Sequence, residues 1–178
     1  MIAGAFAVGA IVSFGKEIVG TATRLDQLNK KASTVLGEFK DDVESVAKEV
    51  ALSMGMTSSQ FVGAATNVAD LLIPMQFTRE EASKMSTDLV SLSGALSEWS
   101  GGTRSAADVA NILAKAMLGE REQLKELGIA INEADVKQRV LEMGMADLTG
   151  VQLQQARATA TQQLIFEKST DAQAAYAE

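Results

Sequence analysis

Three pairs of carboxylates could divide acid and base work across one bond: Asp41-Asp42, Glu80-Glu81, and Glu122 with Glu126 at i, i+4. On a helix adjacent residues diverge by about 100°, so neither adjacent pair aims two carboxyls at one point. Glu80 and Glu81 fit better as the acidic first turn of a helix, where negative charge meets the helix dipole. Glu122 and Glu126 sit in "GEREQLKELG" with Arg121 and Lys125 displaced by one position, the pattern of a solvated, charge-mixed face. The glycines of "SEWSGGTRS" lack the preceding strand and following Gly-Lys-Thr of a phosphate cradle, and predict a turn between helices. The chain contains neither histidine nor cysteine, which removes the commonest general base, the thiolate nucleophile and the usual zinc ligands together. The residues therefore predict no enzyme, no cofactor and no metal.

The elements that carry these residues are helical. Aromatics are only 4% of the 178 residues and there is a single proline, Pro74, so helix packed on helix is the expected architecture. The fourteen glycines must then mark helix ends or close packing. Three stretches fit a capping box: Thr57-Ser-Ser-Gln60, Thr78-Arg-Glu-Glu81 and Thr149-Gly-Val-Gln152. Ser105-Ala-Ala-Asp108 and Asn132-Glu-Ala-Asp135 are weaker versions. With stops at Gly55, Pro74, Gly101-Gly102, Gly128 and Gly144, the pattern predicts helices over 2–33, 36–54, 58–73, 79–99, 104–118, 120–127, 133–143 and 150–178. "GIAINEAD" is expected to be a loop with buried isoleucines.

Apolar positions recur at steps of three and four. Leu36, Phe39, Val43, Val46 and Val50 form one stripe; Ala82, Met85, Leu89, Leu92, Leu96 and Trp99 form another. With Val109, Leu113, Ile129, Ile131 and Leu141 they make the expected packing core, in which Trp99 is an anchor rather than a ligand platform. The expected fold is all-α: several short amphipathic helices in a bundle, with an apolar N-terminal helix and a long C-terminal one. The expected organisation is an apolar, small-residue helix over 1–33, a compact multi-helix module over 34–148, and an Ala/Gln-rich helix over 149–178 that continues past the last residue.

The first fifteen residues, "MIAGAFAVGAIVSFG", are uncharged. They are too few to span a bilayer, which takes roughly 20 apolar residues, and no basic residues precede them as in a signal peptide. Ile2, Phe6, Val8, Ile11, Val12 and Phe14 are the expected contacts with a membrane or partner chains. One reading of this stretch is a membrane-active helical protein, a pore former or toxin, that inserts through residues 2–14. The net charge of −7 disfavours direct nucleic-acid binding, which rests on Lys and Arg displacing counterions.

Four stretches in register carry a family resemblance: "FTREEA" at a helix start, "LGEREQLKELGIAINEA", a small helix ending in "MG", and the Ala/Gln-rich helix with its "DAQ" tail. In that order they resemble the tape measure proteins of tailed bacteriophages, over roughly residues 35–178. The resemblance implies a structural protein of the virion, held in the tail lumen after assembly in the host cytoplasm. It implies roles in scaffolding the tail tube, setting tail length and later genome ejection. The implied partners are further copies of the chain (a homo-oligomer), the tail tube protein, the tail assembly chaperones and, during ejection, the host membrane. A continuous helix of this length would reach about 270 Å at 1.5 Å per residue. The glycine-marked breaks instead predict a compact module, turned back at Gly119–Asp135.

Overall fold

A computed structural model describes residues 23–177, which are all-helical, with no strand among them. The uncharged start, with Ile2, Phe6, Val8, Ile11, Val12 and Phe14, lies outside the described residues. Eight α-helices follow one another: α1 (23–36), α2 (Lys40–Val50), α3 (Ser58–Leu72), α4 (Arg79–Trp99), α5 (Ala106–Met117), α6 (Glu133–Glu142), α7 (Gly150–Lys168) and α8 (Thr170–Tyr176). No helix of the described residues is long and apolar enough to cross a membrane.

α4 is the centre of the bundle, packing against α2, α3, α5 and α8. Its length follows from good caps and an uninterrupted stripe. Thr78 accepts from the Glu81 amide at 3.2 Å, and Glu81 accepts from the Thr78 amide at 2.9 Å. α3 opens with the same reciprocal box between Thr57 and Gln60. Leu89, Leu92 and Leu96 are buried, together with Leu36, Val43, Ala82, Val109 and Leu113. Ile129 and Ile131 join the same core. Phe61, Val68 and Leu72 of α3 and Ile165 of α7 are equally central. Gly94 lets the turn after α2 approach α4 closely, since a Cβ there would meet the Met54 side chain at 2.6 Å. α1 is held to α3 by Lys31, which reaches Asp70 and Asn67, each at 2.9 Å.

Several expectations are corrected. Trp99 is 54% and Leu141 57% exposed. Trp99 lies on the last turn of α4 beside Ala172 and Ala175 of α8, residues too small to cover an indole. Leu141 follows Val140, which faces the core with Val136, and so points about 100° away from that face. Phe39, Val46, Val50 and Met85 are only half-buried. The first break falls at Gly37, whose φ of +60° ends α1, rather than between 33 and 36. α2 stops at Val50, where Ala51–Gly55 form a turn. Residues 122–127 wind as a 3-10 helix rather than an α-helix.

Thr149 makes no side-chain cap. The φ of +58° at Gly150 removes the right-handed first turn that would present the Gln152 amide to it. The long C-terminal helix is interrupted at Ser169, which separates α7 from α8. α7 is not a free rod: it packs on α6 and α5 and buries Ala156, Ala158, Ala160, Leu164 and Ile165.

Candidate functional site

The Gly119–Asp135 break is built from local signals that all point the same way. α5 ends where Gly119 adopts φ +107°, and the Glu120 amide donates back to the Lys115 carbonyl at 3.0 Å. The 3-10 helix Glu122–Leu127 then buries Leu124 and Leu127 while its charged residues face out. Gly128, at φ +76°, closes it, and the Ile129 amide donates to the Leu124 carbonyl at 3.0 Å. That left-handed cap with its six-to-one bond is a Schellman arrangement. From there to Asn132 the chain leaves the helix, with Ile129 in, Ala130 out and Ile131 in, the alternation of an extended segment. Asn132 restarts the helix with a full capping box: its side chain accepts from the Asp135 amide at 3.0 Å, and its own amide donates to Asp135 at 2.8 Å.

Ion pairs tie both sides of the break to distant elements. Glu126 pairs with Arg104, from the turn between α4 and α5. Glu133 accepts from Arg121 at 3.1 Å and from Arg157 of α7. Arg121 is the innermost member, with only 11% of its side chain exposed. Burial on its own would raise the Glu133 carboxyl; the hydrogen bonds and charges of Arg121 and Arg157 together outweigh it and hold the group below the ordinary glutamate range. Farther along, Arg139 of α6 pairs with Glu142 at 3.0 Å and with Glu167 of α7. Its pKa is raised, the hydrogen bond it donates to Glu167 being the largest cause.

Two open clefts flank Arg121. One, of about 850 Å³, is lined by Lys115, Glu120, Lys125, Ile131 and Glu133. The other, of about 560 Å³, has Arg157 on its rim and Met75, Met117, Leu118 and Leu153 on its walls. A second exposed feature lies at the end of α4. There Trp99 borders a small cleft with Tyr176, and the Tyr176 hydroxyl donates to Ser53 at 3.2 Å, next to Leu52, which is 87% exposed.

Members of the carboxylate pairs take partners of their own. Glu122 takes Lys125 at 2.8 Å and Glu126 takes Arg104; Glu81 is occupied by its cap. No group of His, Cys, Asp or Glu among the described residues could hold a metal ion. Sequence reasoning missed the Arg121–Glu133–Arg157 network, for which no local pattern exists. It also missed the α3 core, although Phe61, Ala65, Val68 and Leu72 follow the same helical spacing as the stripes it used. No protein-family model, curated protein or solved structure matches the chain.

Proposed function

We propose that the chain is a structural segment of a tape measure protein of a tailed bacteriophage, acting in tail tube assembly and tail-length determination and later in genome ejection. Its partners in this reading are other copies of itself, the tail tube protein and the tail assembly chaperones. The observation that carries the proposal is the register of the four matched stretches in the sequence. They coincide with the capped start of α4, the Gly119–Asp135 break, the end of α6 at Met143-Gly144, and the α7–α8 pair. A further support is that the side chains of the break are spent on ion pairs and caps that fix helix directions, as suits a protein whose work is to hold other chains in place.

The test uses the organism that encodes the chain. Tailed particles are purified and probed with antibody to the chain, and an in-frame deletion of its coding region is imaged by electron microscopy. The proposal expects the chain in the particle fraction, and tails of altered length, or none, in the deletion. Particles that lack the chain, with tails of normal length after its removal, would overturn it.

A further inference from the structure

The cleft of about 560 Å³ beside the break is lined by two arginines, Arg121 and Arg157, and by no Asp or Glu among the described residues. In a chain of net charge −7 that is a local reversal of sign. The two side chains converge, since both reach the carboxylate of Glu133, Arg121 through Nη1 at 3.1 Å and Arg157 through Nη2. Glu133 itself lines the other cleft. Two guanidiniums and one carboxylate leave one positive charge. A guanidinium carries five N–H donors, and Glu133 takes a single nitrogen of each. Of the arginine nitrogens without a partner only Arg121 Nε is buried, so Arg121 Nη2 and Arg157 Nη1 are left for a further acceptor.

The remaining walls supply a second, independent observation. They are Met75, Met117, Leu118 and Leu153, and Leu118 is 42% exposed, so apolar surface stands open next to the positive charge. Covering such surface is favourable. α7 also brings its N-terminal end to this cleft at Gly150, and Thr149 leaves that end without a side-chain cap. The free amides and dipole of a helix start favour an anion.

We propose that this cleft binds the carboxylate of a molecule with an apolar body. The carboxylate bridges Arg121 and Arg157 through the donors that Glu133 leaves free, and the alkyl part lies on Met75, Leu118 and Leu153. One negative charge matches the one positive charge left over, and a planar carboxylate fits the guanidinium fork. An inorganic anion would leave the apolar walls unused. Such a ligand has two sources, a free alkyl carboxylic acid and the C-terminal carboxylate of a partner chain that ends on an apolar residue. The inference is independent of the tail reading.

The test titrates the full chain, labelled with nitrogen-15, with octanoate and with the peptide acetyl-Ala-Ala-Leu ending in a free carboxylate. Octanol and acetate, which each lack one half of the ligand, are the controls. Saturable amide shifts centred on Gly119, Gly150 and Leu153 are expected with a carboxylate probe and not with the controls over the same concentrations. Arg157→Gln should weaken binding about tenfold, the loss of one charge-assisted hydrogen bond. Because Arg157 also ties α7 to Glu133, a second variant leaves that pair in place. Gln154 is exposed and lines the cleft; Gln154→Glu brings a carboxylate there, and should weaken binding with the thermal midpoint of the free chain unchanged. Saturation by octanoate alone supports the site with a free acid as its source; saturation by the peptide, with or without octanoate, supports it and assigns a chain end. No saturable shift with either carboxylate, an equal response to octanol, or binding unchanged by the two substitutions would overturn it.

Discussion

At the residue scale the decisive contact of the break is Glu133 between Arg121 and Arg157. Its carboxyl is held below the ordinary glutamate range, so the folded state holds that proton less tightly than the unfolded chain does. The stabilisation is therefore present in full above the ordinary glutamate value and is lost as pH falls through the depressed folded value. Glu133→Gln is expected to cost about 1–2 kcal/mol at neutral pH, more than a median exposed pair because Arg121 is left nearly buried without its partner. Urea midpoints at about pH 7 and about pH 3, on either side of the carboxylate range, check this: the gap between variant and parent should narrow in acid. A gap that stays constant would assign the effect to packing rather than charge. None of this is legible in the sequence, because the three residues lie on three separate segments and their meeting depends on how α7 returns across the break.

At the element scale much was legible, and the reasons are local. Thr57 with Gln60, Thr78 with Glu81 and Asn132 with Asp135 close their boxes, because a cap depends on four consecutive residues. Thr149 fails for an equally local reason, the left-handed Gly150, which the four-residue pattern does not encode. Trp99 and Leu141 show the other limit: periodicity marks a face but not whether a neighbour is large enough or near enough to cover it.

Two backbone positions give paired predictions. Gln76, exposed at the end of the Ile73–Met75 turn, has φ +64° and is the non-glycine residue with positive φ among those described. Gln76→Gly should stabilise the chain by up to about 1 kcal/mol by relieving that conformation. Gly128, at φ +76° with open space where a Cβ would stand, should behave in the opposite sense. Gly128→Ala is expected to cost about 1 kcal/mol from backbone strain alone. Denaturant midpoints of the two variants should move in opposite directions; a shift of both in one direction would contradict the account of these turns.

At the scale of the whole molecule, the all-helical bundle was legible from composition and stripes, and the burial of Ile129 and Ile131 from two β-branched residues flanked by glycine and an asparagine cap. The packing of α7 and α8 onto the rest was not. α7 is buried through small residues such as Ala156, Ala158 and Ala160, which leave no strong apolar stripe to read. The central claim is that the chain turns back at Gly119–Asp135, so that α4 and the isoleucines of the break share one core within a single chain. Leu92 of α4 and Ile131 of the turn itself, 4% and 6% exposed, stand on the two parts that meet, and truncating either to alanine should cost about 2–5 kcal/mol. The most direct test is thermal unfolding of the parent, Leu92→Ala and Ile131→Ala at two protein concentrations. A transition that is independent of concentration and lowered by both substitutions is the predicted result. A midpoint that rises with concentration, or a monomer whose melting is unchanged by Ile131→Ala, would contradict the compact module and show that the break is completed by other chains.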